Sequence, residues 1–299
     1  MTHKTLEQNR INLSVRNVIE EQNNLPLLSG LYVVATPIGN LADISLRALS
    51  VLARADIIYC EDTRHSRKLL EHYGVSSPLR SYHDYDTEQK RNRIIDVLEK
   101  GQSVALISDA GTPLISDPGF KLVRHVIEHG FHIESIPGPS AVLTALTLSG
   151  LPTDRFLFEG FLSSKQSQRI KQLKSLKDIN ATLIFFESAR RLESALRDIL
   201  DVLGNREVVI ARELSKKHET LIRGSVEVVL EKLHLHTIKG EIVILTSPPE
   251  KCNIDDNNIL EALKNELKSN SLRDSVKRVC ADFDLPKNRV YNLALTLSK

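Results

Sequence analysis

The chain of 299 residues carries 40 Lys and Arg against 38 Asp and Glu, with 41% hydrophobic and 26% charged residues. That length accommodates two domains with real cores, and ordinary hydrophobicity excludes a disordered chain. A net charge of +2 excludes a histone-like polycation, so any nucleic-acid contact must use local basic patches.

Cys60, Cys252 and Cys280 lie far apart and form no CxxC pair. They predict neither a zinc knuckle nor a disulfide framework, as suits a reducing cytosol. His234 and His236 are two apart and are expected to be exposed rather than ligands, so no metal is expected. No apolar run approaches the ~18–20 residues of a membrane helix, and the polar N-terminus lacks the apolar core of a secretory signal. A soluble, cytoplasmic protein is expected.

Residues 1–29, rich in Asn, Gln and Glu, read as a poorly ordered N-terminal extension with at most one short helix. Regular patterning begins at Leu31. LYVVA (31–35) predicts a buried strand, and DISLRALSVLAR (43–54) has apolar residues at helical spacing. DIIYC (56–60) is a second strand, and SRKLLEHYG (66–74) a helix closed by Gly74. TEQKRNRIIDVLEKG (87–101) is a helix running from a Thr cap to a Gly. SVALISDA (103–110) is the clearest strand, followed by a helix (120–130), a strand (131–136) and an apolar helix (140–150). This alternation predicts an α/β domain over 30–151 with a mainly parallel sheet. GLPTDR marks a boundary. A second α/β domain over 152–248 follows, with strands at 156–161, 182–188, 207–214, 220–225 and 241–247 and helices at 164–178 and 189–203. Residues 249–299 read as a linker and a small helical domain with helix-turn-helix spacing, broken at Asp284–Pro286.

The densest motif, SDAGTPLISDPG (108–119), lies between the best strand and a helix, where open α/β sheets bind ligands. It matches neither the dinucleotide GxGxxG nor the P-loop pattern. It carries Asp109, Thr112, Ser116 and Asp117 but no basic residue, which disfavours a polyphosphate and suits a ligand with hydroxyls, amino groups or positive charge. ATPIGN (35–40) and IPGPSA (136–141) also follow strands, with Ser140 placed to cap a helix. Three small-residue loops at one sheet edge form a stronger pattern than any alone. CEDTRHSRK (60–68) adds both charge signs at that edge. Its plain reading is a helix capped by Thr63, and its sharper one gives Asp62 or His65 a proton and Arg64 a substrate phosphate. FFESARR (185–191) and ARELSKKHE (211–219) place further charges after strands, as surface ion pairs or as the second wall of a charged cleft.

The helix at 164–178 carries Lys165, Arg169, Lys171, Lys174 and Lys177, with Ile170, Leu173 and Leu176 as its buried stripe. The basic face is either a solvated surface or a phosphate-binding one. Lys277, Arg278, Lys287 and Arg289 form a second modest basic surface. With 5% aromatics and no Trp, a stacking platform for single strands is not expected to dominate.

LYVVATPIGNLADISLRAL, EDTRHSRKLL, SDAGTPLISDPG, IPGPSA, FEGFL, FFESARR and ARELSKKHE stand in an order that closely resembles the bacterial small-subunit ribosomal RNA methyltransferase I family, within the tetrapyrrole-methylase superfamily. The resemblance runs from about Leu31 to Leu245. It implies two α/β domains with S-adenosylmethionine in the cleft between them, a small C-terminal helical domain, and usually a homodimer. It implies methyl transfer to the ribose 2′-hydroxyl of a cytidine in the decoding region of 16S rRNA, with the rRNA expected to be met within the 30S subunit. It further implies a cofactor pocket of Pro37, Asp109, Ala110, Gly111, Ile115, Ser116, Ser140, Ala141, Phe186, Glu187, Arg212, Glu213 and Ile242. Ala189 stands where the family commonly has Pro, and Ser215 where it commonly has Thr. The first loop, ATPIGN, favours the RNA-acting branch over small-molecule enzymes. A ribose hydroxyl needs a proton acceptor. Asp62, Glu213, Lys216 and His218 are the candidates, with Arg64 and Arg212 for phosphate. The rival readings are a methyltransferase for a tetrapyrrole-like small molecule and a non-catalytic RNA-binding assembly factor.

Overall fold

The apolar, β-branched strands of the first half bury both of their faces, which is what a parallel sheet between helices demands. In the computed structural model, which describes residues 3–25, 27–234, 239–249, 256–283, 285 and 287–297, these strands are β1 (Gly30–Val34), β2 (Ile57–Cys60), β3 (Leu79–Ser81), β4 (Ser103–Ile107) and β5 (Ile133–Ile136). Their order is β3-β2-β4-β1-β5, and every pair is parallel. Alternation along β1 sends Tyr32 and Val34 into one core layer and Leu31 and Val33 into the other. The helices between them are α2 (Leu46–Arg54), α3 (Thr63–His72), α4 (Glu88–Glu99), α5 (Phe120–Glu128) and α6 (Ala141–Ser149).

The second half builds β6 (Phe156–Phe161), α7 (Gln166–Leu176), β7 (Thr182–Ser188), α8 (Leu192–Leu203), β8 (Glu207–Arg212), β9 (Thr220–Ser225), α9 (Val226–His234) and β10 (Glu241–Thr246). Its sheet order is β6-β7-β10-β8-β9, with only β6–β7 parallel. The two sheets share one compact unit, Met1–Pro249. Val142, Ala145 and Leu146 of α6 supply the joint by packing with Ile184, Val209 and Val243 of the second sheet. Glu250–Lys299 is a separate unit. In it, α10 (Asp256–Glu266), α11 (Leu272–Phe283) and α12 (Lys287–Leu297) close on Ile259, Leu263, Val276, Val279, Val290 and Ala294.

Several expectations change. Residues His3–Asn24 form one helix, α1, of 22 residues rather than a short one. The tail is held where Arg54 Nη1 donates to the Leu25 carbonyl at 2.5 Å and Ser50 Oγ donates to Asn23 Oδ1 at 2.8 Å. The cap of α3 is Asp62, whose carboxylate accepts from Arg64 N at 2.8 Å, rather than Thr63. Thr87 stands at the N-cap of α4 but makes no side-chain capping bond. Two further elements lie outside the expected set: β3, whose LRS carries no apolar run, and α9, which buries Val226, Val229 and Leu230 at helical spacing. Arg169, read as part of a basic RNA face, is buried. Its guanidinium pairs with buried Asp198 at 2.6 Å and donates to the Ser163 carbonyl at 3.1 Å, so it ties α7 to α8. Arg169 takes the stripe position expected for Ile170, which is half-buried. Asp284, Pro286, Cys252 and His236, as well as the side chain of His234, lie outside the described residues. No described helix is long and apolar enough to cross a membrane.

A buried guanidinium left without its carboxylate is costly. Asp198→Ala is expected to destabilise the protein by about 3–5 kcal/mol in denaturant unfolding, with Arg169→Met in the same background recovering most of the loss. Equal losses in the single and double variants would remove the pair's structural role.

Candidate functional site

β1 and β4 are neighbours at the centre of the first sheet, so the loops leaving their carboxyl ends meet. Thr36 N donates to Gly111 O at 2.8 Å, and Gly111 N returns a bond to Thr36 O at 2.9 Å. Gly111 holds φ at 80°, a conformation that costs a side-chain-bearing residue. Thr36 Oγ1 adds a bond to Ser108 O at 3.3 Å. Thr112 Oγ1 reaches Pro139 O at 3.1 Å, which brings in the third loop. Ser140 caps α6 by accepting from Leu143 N. The loop after β2 joins through Asp62 N, which donates to Asp109 Oδ1 at 3.1 Å.

The loops after β1, β4 and β5 form one wall of a cavity of about 360 Å³, and β6, β7, β8 and β10 form the other. The volume suits a drug-sized ligand. Asp109, Ala110, Gly111, Ile115, Ser116, Ser140, Ala141, Phe186, Glu187 and Ile242, all singled out from the sequence, line it. Pro37, Arg212 and Glu213 do not. Pro37 is buried, and its neighbour Ile38 takes the lining position. Arg212 turns away, its Nε donating to the Lys239 carbonyl at 2.5 Å. Sequence reasoning missed Phe161, Gly240 and Glu241 as lining residues: Phe161 stands in FEGFL, which reads only as a strand, and Gly240 and Glu241 belong to no motif. Phe161 meets Phe186 edge-on, with ring centroids 5.5 Å apart.

The lining contains the carboxylates of Asp109, Asp117, Glu187 and Glu241 and no Lys, Arg or His. Glu187 is fully buried. Its Oε1 accepts from Ser188 N at 2.6 Å and from Arg191 Nε at 2.7 Å, whereas Oε2 has no partner. A buried unpaired acceptor is expensive unless a ligand satisfies it. Burial, reinforced by Glu61 and Asp109, pushes the Asp117 carboxyl up to about 6. Leu114, Ser116, Glu213 and Ser215 are the described non-glycine residues with positive φ, and all lie in loops around the cavity. Such strain concentrates at functional sites.

Glu213 and Lys216 form a clasp beside the cavity. Glu213 accepts from Glu241 N at 3.0 Å, and Lys216 Nζ donates to Glu213 at 3.1 Å and to Glu241 at 2.9 Å. The fit is close: a Cβ on Gly240 would lie 2.3 Å from Glu213 Oε1, and one on Gly39 would lie 2.4 Å from Lys216 Cγ. Ser215 Oγ hydrogen-bonds Asp43 across the same gap. These bonds, chiefly the one from Glu241 N, hold the Glu213 carboxyl below its ordinary range, and the two carboxylates outweigh burial to keep the Lys216 ammonium charged. Asp62 grips Arg64 through both oxygens, at 3.2 and 2.8 Å, which holds its carboxyl well below the carboxylate range. His218 is exposed.

Of the basic candidates on α7, Lys165, Lys171, Lys174 and Lys177 are exposed. Lys277, Arg278 and Lys287 are exposed in the terminal unit, where Arg278 pairs with Glu266 at 3.4 Å and Arg289 with Asp256 at 2.7 Å.

Residues 30–229 match the family model described as Tetrapyrrole (Corrin/Porphyrin) Methylases. Over 227 residues the chain is 52% identical to the ribosomal RNA small subunit methyltransferase I of Mesorhizobium japonicum, covering 75% of this chain and 77% of that one. The chain belongs to this family. The relative so named in Escherichia coli O157:H7 is 43% identical over 272 residues, 89% of this chain and 94% of its own. That in Halalkalibacterium halodurans is 42% identical over 270 residues, 88% and 93% of the two chains. Among solved structures, diphthine synthase aligns at a TM-score of 0.57 and 16% identity over 73% of this chain and 89% of its own. A cobalt precorrin-4 methyltransferase aligns at 0.55 and 17% over 73% and 94%. At that identity they show the fold alone.

Asp117 is more easily protonated in the folded chain, so its stabilising contribution is complete below about pH 4 and is lost as pH rises through about 6. Asp117→Asn is therefore expected to stabilise the ligand-free protein by about 1 kcal/mol at pH 7.5 after allowance for solvent screening. The gain should vanish at pH 4. Thermal melts across that range give the check, and a gain independent of pH would contradict it.

Proposed function

We propose that this chain binds S-adenosylmethionine in the cavity between its two sheets and methylates small-subunit ribosomal RNA at a cytidine ribose 2′-hydroxyl in the decoding region. The observation that carries the reading is a cavity with four carboxylates and no cation, in a chain of this family. A sulfonium with an amino group fits such a donor-hungry site. The unpartnered Glu187 Oε2 is an acceptor for an amino or hydroxyl group, while Ile38, Ile115, Phe161 and Phe186 offer apolar walls to a flat ring system.

S-adenosylmethionine supplies an electrophilic methyl group when bound. The chain's part is to bind, orient and exclude water, and positioning of this kind gives most of the rate. Asp109 and Ser140 are proposed to hold the cofactor from the first-sheet side, and Phe186, Glu187 and Ile242 from the second. Asp62, Glu213 and Lys216 are engaged in ion pairs whose shifts make them weak proton acceptors near neutrality. Their role is to fix the loops beside the reacting oxygen. The exposed lysines of α7, Lys277, Arg278 and Lys287 are proposed as sequence-independent phosphate contacts.

We further propose that a homodimer acts in the cytoplasm on the assembled 30S subunit. The organisation proposed is an extension at 1–29, α/β domains at 30–151 and 152–248, and a helical domain at 249–299.

Incubation with methyl-labelled cofactor and 30S subunits lacking the modification is expected to label one ribose in 16S rRNA. Glu187→Gln should keep the fold and weaken cofactor binding at least tenfold, the loss expected when a charge-assisted hydrogen bond of about 1.5–3 kcal/mol goes. Labelling of a tetrapyrrole but no RNA would establish the small-molecule alternative. RNA binding without cofactor binding would establish the assembly factor.

A further inference from the structure

The loop that follows β3, residues 82–87, stands at the carboxyl end of the first sheet, on the side where the cavity loops gather. Tyr85 is 82% exposed, the highest value among the exposed large hydrophobics described. It does not hang free. Its ring lies parallel to that of His83, with centroids 4.9 Å apart and planes 6° apart. The loop beneath is braced from within, for His83 N donates to Asp86 Oδ2 at 2.7 Å and Asp86 N donates to His83 O at 2.9 Å. It is also braced to the cavity wall. Asp84 Oδ1 accepts from Gly119 N at 2.9 Å, two residues beyond cavity-lining Asp117.

Three cations brace the loop that carries the stack. Lys121 Nζ donates to the Asp84 carbonyl at 2.9 Å, Arg91 Nη1 donates to the Asp86 carbonyl at 2.9 Å, and Lys90 pairs with Asp86 at 2.7 Å. Both acidic side chains of the loop are spent on these braces. Phe120, between the two residues bonded to Asp84, is 62% exposed. A rigid aromatic face flanked by cations matches a nucleotide, whose base stacks while its phosphates meet positive charge. Tyr85 and Phe120, set among polar Asp84, Asp86 and Thr87, offer too small an apolar area for a stable protein interface.

We propose that Tyr85, stacked on His83 in a loop bonded to the cavity-wall loop at Gly119, is a platform for an unpaired base of the RNA substrate. This rests on the RNA-methylating function above, and it locates aromatic recognition that the low aromatic content of the chain conceals. The chain contains no Trp, so Tyr85→Trp introduces a unique fluorophore at the site. Its emission is expected to be quenched saturably by 30S subunits and by a short single-stranded RNA, but not by a fully paired RNA duplex. Tyr85→Ala should raise the KM for 30S subunits about tenfold, leave kcat and the Kd for S-adenosylmethionine unchanged, and be rescued by Tyr85→Phe.

Normal methylation by Tyr85→Ala with KM within twofold of wild type, or equal quenching by duplex, would overturn the platform while leaving the enzyme's function intact. Absence of RNA methylation by the unaltered protein would overturn the reading on which it rests. A change in oligomeric state on Tyr85→Ala would assign the ring to a contact between copies of the chain instead.

Discussion

Two reciprocal backbone hydrogen bonds between Thr36 and Gly111 hold the functional end of this molecule together. They extend the pairing of β1 and β4 by one bridge beyond the strands, in antiparallel sense, just where the two chains would otherwise diverge. Gly111 permits this because its left-handed backbone turns the loop back toward Thr36. Once that bridge exists, Ala110 and Gly111 face the cavity, Thr112 reaches the third loop, and Ile38 is carried into the wall. The second sheet is pulled into the same site by a different force. The apolar face of α6 packs on β7, β8 and β10, so the cavity lies on the seam of a shared core.

The site and its surroundings divide the chemistry. Inside, four carboxylates, of which Glu187 and Glu241 are paired from behind with Arg191 and Lys216, suit a positively charged cofactor. Outside, lysines on α7 and around the 82–87 loop suit a phosphate backbone. Between them the Glu213–Lys216–Glu241 clasp spends its charges internally. The raised Asp117 carboxyl and the orphaned Glu187 oxygen are both costs of the ligand-free state. A bound cation carrying hydrogen-bond donors would offset both.

Much of this was legible in the sequence. Apolar, β-branched runs marked nine of the ten strands described, and small-residue loops after β1, β4 and β5 marked the cavity wall. The strand overlooked, β3, is three residues long and only half-buried, so LRS carries no apolar run. Formal charge misled at Arg169, because a basic residue on an amphipathic helix reads as solvated unless its buried partner, 29 positions away, is known. Gly240 and Glu241 were invisible for a related reason. They enter the site through the pairing of β10 with β7 and β8, which no local motif encodes. Pro37, Arg212 and Glu213 stand beside lining residues in sequence but do not line the cavity themselves, since adjacency along the chain does not fix which way a side chain turns.

The account depends on the acidic cavity being the cofactor site, and calorimetric titration with S-adenosylmethionine or its demethylated product tests that most directly. Asp109→Ala is the informative comparison, because Asp109 lines the cavity and also receives the Asp62 amide. One saturable site per chain in the unaltered protein, weakened in a variant that melts as a folded protein, is the predicted result. Undiminished binding by the variant, or no binding by the intact protein even with 30S subunits present, would contradict it.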